Sequence, residues 1–170
     1  MDTELEAKWL DINHDEIRQK LTASGATLVQ PERLMTHKVF DFEDKRLDQM
    51  SGWVRVRNEG DKVTMSYKQL NDRTLHGTKE VTLEVNDFDT ATSFLESIGL
   101  KPYSYQETKR ESWRIGDVQI ELDTWPWIPS FLEIEAPSEE DLKNAAAILG
   151  LDYSKALHGS VETAYQDVYD

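Results

Sequence analysis

Cysteine is absent from the 170 residues, so disulfides and thiolate metal sites are excluded. That fits a reducing compartment, and a cytoplasmic protein is the expectation. Glycine (8) and proline (5) are sparse, and no Gly/Ser-rich linker, repeat or low-complexity tract divides the chain. Residues 1–170 are therefore read as a single domain. No apolar run approaches a membrane span, and residues 1–10 lack the shape of a signal peptide, so no membrane association is expected. Bases are short: 19 Lys plus Arg against 33 Asp plus Glu leave a net charge of −14. Such a surface repels phosphate backbones, which argues against a nucleic-acid partner. There is no glycine-rich phosphate loop, and the four histidines lack metal-ligand spacing, so P-loop and zinc readings fail.

What is present is charge, at 31% of residues, beside 38% hydrophobic residues, enough apolar material for a core in a chain this long. Any anionic substrate must be drawn in by a local cluster of bases, or by metal ions held on carboxylates. Turn residues and periodicity predict a first strand to about Ile12, then a helix over 14–24 between Asn13 and Gly25. Strands are predicted over 33–42, 53–58, 63–70, 78–85, 103–115, 118–123 and 131–136, with a hairpin at Glu59-Gly60-Asp61-Lys62. A helix over 87–98 carries Phe88, Ala91, Phe94, Leu95 and Ile98 on its buried side. Ser138 opens another that stops at Gly150, and Gly159-Ser160 begins a last one to about Val168.

The strands share one habit. Successive side chains on a strand point to opposite faces, so Glu4, Glu6 and Lys8 back Leu5, Ala7 and Trp9. Arg55 and Arg57 back Val54 and Val56. Thr64, Ser66 and Lys68 back Val63, Met65 and Tyr67. Glu80, Thr82 and Glu84 back Val81, Leu83 and Val85. Gln119, Glu121 and Asp123 back Val118, Ile120 and Leu122, and Glu133 and Glu135 back Leu132 and Ile134. The charges are sorted by sign, and helices can cover only the apolar faces. An α+β fold is therefore expected: a closed antiparallel barrel of about eight strands, polar inside, with helices packed outside. Carboxylates are the hard ligands Mg²⁺ or Mn²⁺ prefer, and Arg and Lys clamp phosphate oxygens.

Those residues resemble a known family. Glu4-Leu5-Glu6-Ala7-Lys8 matches the ExExK signature of the CYTH superfamily, the triphosphate tunnel metalloenzymes. In order follow Arg55-Val56-Arg57, Tyr67-Lys68, Lys79-Glu80 with Glu84, Arg110 ahead of Trp113, Leu122-Asp123 and Glu133-Ile134-Glu135. The resemblance implies that Glu4, Glu6, Glu133 and Glu135 hold divalent metal, with Asp123 and Glu80 or Glu84 nearby. It implies that Lys8, Arg55, Arg57, Lys68 and Arg110 hold a triphosphate, and that Glu6 and Glu135 orient the attacking water beside Lys8. Two positions depart from the family pattern. Thr108 stands where a lysine is frequent, and Trp127-Ile128-Pro129-Ser130-Phe131 replaces a Leu-Gly approach to the final ExE.

The expected activity is a metal-dependent triphosphatase acting on a small-molecule triphosphate (inorganic triphosphate, thiamine triphosphate or ATP), as a monomer or homodimer. A class IV-type adenylate cyclase, making cyclic AMP and pyrophosphate from ATP, is the alternative. A third reading is a protein that binds polyphosphate or a nucleotide without turnover.

Overall fold

The computed structural model describes every residue from Met1 to Asp170. Its strands are β1 (Asp2–Glu4), β2 (Glu6–Trp9), β3 (Thr27–Phe42), β4 (Gly52–Asn58), β5 (Val63–Leu70), β6 (Thr78–Val85), β7 (Leu100–Ile115), β8 (Val118–Thr124) and β9 (Phe131–Glu135). The helices are α1 (His14–Ala23), α2 (Phe88–Ser97), α3 (Glu139–Ile148) and α4 (Val161–Tyr169). All strands form one antiparallel sheet in the order β1-β6-β5-β4-β3-β7-β8-β9-β2. Its two edges, β1 and β2, are consecutive pieces of the N-terminal segment. β1 pairs with β6 and β2 with β9, and Leu5 between them accepts from the Ala136 N–H at 3.0 Å. The sheet thus all but closes into a barrel, with Val81–Val85 of β6 paired on the β5 side alone. The expected first strand is present as two, and this break is what raises the count to nine.

β3 starts earlier than residue 33 and runs through Pro31. Proline has no N–H to give a ladder, and register shifts on either side of Gln30 absorb it. The predicted hairpin is formed: Glu59 N–H donates to Lys62 O at 2.9 Å, and Gly60 takes φ +97°, which a residue without Cβ adopts freely.

The helices lie on the outer, apolar faces. Asn13 caps α1 by accepting from Asp15 N and Glu16 N, and Ile17 and Leu21 then face inward. Ser138 caps α3, whose Leu142, Ala145 and Ala146 meet the same core. That core of 15 buried residues includes Ala7, Ile120, Leu132 and Ile134 from the outer sides of β2, β8 and β9. α2 covers Phe40, Val56 and Leu100 with Ala91 and Leu95. Here the sequence reading is corrected: Phe94 and Ile98 are exposed, not buried. Phe94 lies about 80° round the helix from the middle of the Ala91–Leu95 line and Ile98 is the C-cap beyond the last turn, while a single helix on a curved sheet buries only a narrow stripe. α4 closes one end of the barrel, packing Ala164 against Ile128 and Phe131.

Candidate active site

The inward side chains enclose a cavity of about 700 Å³ through the barrel. Strand pairing sets them in rows. His37 on β3 pairs with Arg57 on β4, which pairs with Thr64 on β5; in the next row Val39 pairs with Arg55, which pairs with Ser66. Around the ring β4 lies opposite β9, so Arg55 and Arg57 look across the cavity at Glu133 and Glu135.

The acidic wall is built by β1, β2, β6 and β9. Carboxylate oxygens of Glu4, Glu80 and Glu135 all lie within 4.8 Å of one another. Burial, then the charges of Glu4, Glu6 and Glu133, push Glu135 up to about 8. Burial and Glu133 raise Glu6 to about 7 despite its bond to Lys8 Nζ at 2.6 Å. Lys8 also reaches Glu133 at 3.2 Å. Burial works against its charge, but Glu6 and Glu133 outweigh that and raise it. Burial would likewise raise Glu133, yet Lys8 and Arg110 hold it below the usual carboxylate range. Lys68 donates to both oxygens of Glu4 at 3.0 and 2.9 Å and lies 3.4 Å from Glu80. Crowded carboxylates of this kind call for a cation, and an all-oxygen donor set suits Mg²⁺ or Mn²⁺.

The basic wall differs in its pairing. Arg110 is a two-pronged donor to Asp123 at 2.7 and 2.6 Å and lies 3.4 Å from Glu133. Burial opposes its charge, but Asp123, Glu121 and Glu133 raise it well above the ordinary arginine value. Asp123 is thus occupied by a guanidinium rather than standing with the metal-type trio. Arg57 pairs with Glu59 at 2.9 Å. Arg55 makes no ion pair, and burial with Arg57 beside it pulls its pKa down to about 10. The Nε atoms of Arg55 and Arg57 are buried without a partner. Buried donors with nothing to donate to mark a place for an incoming acceptor.

Glu84 is not part of this assembly. Its side chain is 71% exposed at the barrel rim, 3.7 Å from Lys62. Residues beyond those expected from the sequence also face the cavity, Glu121 and His37 among them. Glu121 bonds Ser112 and lies 3.9 Å from Arg110, and the strand alternation already put it on that face. His37 is buried against Trp125, with ring centroids 5.4 Å apart. Trp125 lines the tunnel, whereas Trp127 is 84% exposed at φ +64°. Its loop is tied to α4 by the hydroxyls of Tyr165 and Tyr169, which donate to Pro126 O and Trp127 O.

The family model described as CYTH domain matches residues 2–166. No curated protein matches the sequence. Among solved structures, a putative adenylate cyclase from Vibrio parahaemolyticus superposes with a TM-score of 0.80 at 17% identity, over 97% of this chain and 98% of that one. A protein of Pyrococcus horikoshii gives 0.75 at 21% identity, over 97% and 99%. A putative adenylyl cyclase from Hippeastrum, described as having a dominant triphosphatase activity, gives 0.69 at 15% identity, over 97% and 96%. Identities this low speak to a shared fold alone. The family match over nearly the whole length goes further, and with the charged barrel it means that this chain belongs to the CYTH domain family.

Proposed function

We propose that the protein is a divalent-metal-dependent triphosphatase that removes the terminal phosphate of inorganic triphosphate or a small organic triphosphate. One observation carries the reading. A trio of carboxylates within 4.8 Å stands across one cavity from arginines whose buried Nε atoms have no partner. Glu4, Glu80 and Glu135 would hold the cation, and Arg55, Arg57 and Arg110 would hold phosphate oxygens. A cation bound there supplies Lewis-acid charge and a more acidic water. Lys8 and the arginines offset the charge that spreads over the phosphoryl oxygens as the bridging P–O bond breaks. Glu6, whose pKa of about 7 suits a base at neutral pH, takes the proton of the attacking water. A new P–O bond forms, and diphosphate leaves with the electrons of the broken one.

Solved relatives of this fold carry both cyclase and triphosphatase descriptions, so the choice rests on chemistry. Hydrolysis needs a clamp and a positioned water, whereas cyclisation also needs a nucleoside held with its hydroxyl in line. A panel of inorganic triphosphate, thiamine triphosphate and ATP with Mg²⁺ or Mn²⁺, read for orthophosphate, pyrophosphate and cyclic AMP, tests this. Orthophosphate release is expected, lowered about a hundredfold or more in Glu6→Gln. Cyclic AMP with pyrophosphate would establish the cyclase. Tight calorimetric binding without any turnover would leave a binding protein.

A further inference from the structure

His37 is 1% exposed in the wall of the tunnel. Its Nε2 lies 2.9 Å from Thr108 Oγ1, while its Nδ1 is buried with no partner. The ring is braced by Trp125 at 5.4 Å. Along the strand register His37 and Arg57 pair, and each presents a buried, unpartnered atom: Nδ1 and Nε. Arg55 Nε adds a third from the neighbouring row. A folded protein rarely leaves one such group, and three on one wall form a seat for something with several acceptors.

The proton on the imidazole can be assigned from this setting. Burial, then the charges of Arg55, Arg57 and Arg110, pull the pKa of His37 down to about 2, so the ring is neutral at physiological pH. A neutral imidazole has one N–H and one lone pair. The Thr108 hydroxyl can donate to Nε2, which leaves the hydrogen on Nδ1. The opposite tautomer would aim a lone pair at whatever anion the arginines hold, which is repulsive. An anion in the seat therefore selects Nδ1–H.

We propose that His37 is a substrate-binding residue that donates its Nδ1–H to a phosphate oxygen of the triphosphate, with Thr108 as the positioning residue that fixes the tautomer. The proposal rests on the triphosphate reading above. The pair gives this tunnel a neutral, directional donor among its full charges. A neutral donor binds an oxygen without adding to the repulsion among Arg55, Arg57 and Arg110, and it tolerates only a ligand whose acceptor reaches the wall.

The test uses the full chain with inorganic triphosphate and Mg²⁺. In His37→Phe, which keeps a ring against Trp125 but has no N–H, kcat/KM is expected to fall about ten- to hundredfold, mostly through KM. His37→Gln, which restores a donor, is expected to recover part of the loss, and Thr108→Val to show a smaller loss. Independently of how the variants fold, ¹⁵N shifts of His37 in the wild-type protein with triphosphate report which nitrogen is protonated. Protonated Nδ1 supports the assignment and protonated Nε2 overturns it. So does a His37→Phe protein with kcat/KM within twofold of wild type. Wild-type protein that neither binds nor cleaves any triphosphate would instead sink the functional reading underneath.

Discussion

Arg55 and Arg110 point into the same tunnel, yet their removal should have different consequences. Arg110 neutralises buried Asp123 and approaches Glu133, so Arg110→Ala strands carboxylates in the interior. Breaking a buried pair on one side costs about 3–5 kcal/mol. Arg55 has no such partner and sits beside the like charge of Arg57. Arg55→Ala is therefore expected to leave the substrate-free protein as stable as wild type, or slightly more so. Its cost should come with substrate, as a loss of about 100- to 1,000-fold in kcat/KM for a triphosphate. Chemical denaturation of both variants beside steady-state kinetics checks the contrast. An Arg55→Ala protein that is as destabilised as Arg110→Ala would show that Arg55 braces the barrel rather than waiting for an anion.

The same distinction between a patterned face and an actual contact operates along α2. Leu95 and Phe94 are adjacent and both apolar, yet Leu95 is buried against Phe40 and Val56 while Phe94 is exposed. Leu95→Ala is expected to cost about 2–5 kcal/mol, and Phe94→Ala no more than about 0.5 kcal/mol, in urea or guanidinium unfolding. A periodic pattern shows which way a residue points, and only packing decides whether anything meets it. This is why most strands and the inward direction of Glu4, Glu6, Lys8, Arg55, Arg57, Glu133 and Glu135 were readable from alternation, which is local. Barrel closure was readable only as a preference. The break at Leu5, which lets one segment serve two neighbours, depends on residues far apart in sequence. Depth along the tunnel was not readable either: Glu80 and Glu84 share a face, but the first joins the carboxylate trio and the second sits at the rim. His37 escaped because β3 mixes apolar and polar residues on both faces. Its pairing with Arg57 across the β3–β4 ladder is the one signal that could have raised it.

At the scale of the whole molecule, the acidic wall should couple stability to pH and to metal. Glu6 and Glu135 have folded-state pKa values of about 7 and about 8, raised from 4.5. Above pH 4.5 the unfolded chain releases these protons while the folded one keeps them, so their contribution weakens stability as pH rises toward 8. His37 acts in the opposite sense: it is held neutral down to about pH 2 against an ordinary 6.5, and its penalty appears only below that value. Between pH 6.5 and 8 the carboxylates therefore dominate, at about 1.4 kcal/mol per pH unit for each proton involved. The metal-free protein, in the presence of a chelator, is expected to lose Tm across that window. A cation on Glu4, Glu80 and Glu135 needs the deprotonated forms, so its binding releases protons and tightens as pH rises. Saturating Mn²⁺ or Mg²⁺ should then flatten or reverse the slope, since a ligand of the folded state adds stability that grows with its occupancy. Glu135→Gln removes the titrating group and one ligand together. It is expected to lose the fall above about pH 7 and the rescue by metal, keeping only the share that Glu6 contributes below that pH, whereas Glu84→Gln, at the rim, should keep the full fall and the rescue. Melting curves at several pH values with and without metal decide this. A metal-free Tm that climbs with pH through the same window would mean that the carboxylates are not held protonated, and that the wall is neutralised from within by Lys8 and Lys68.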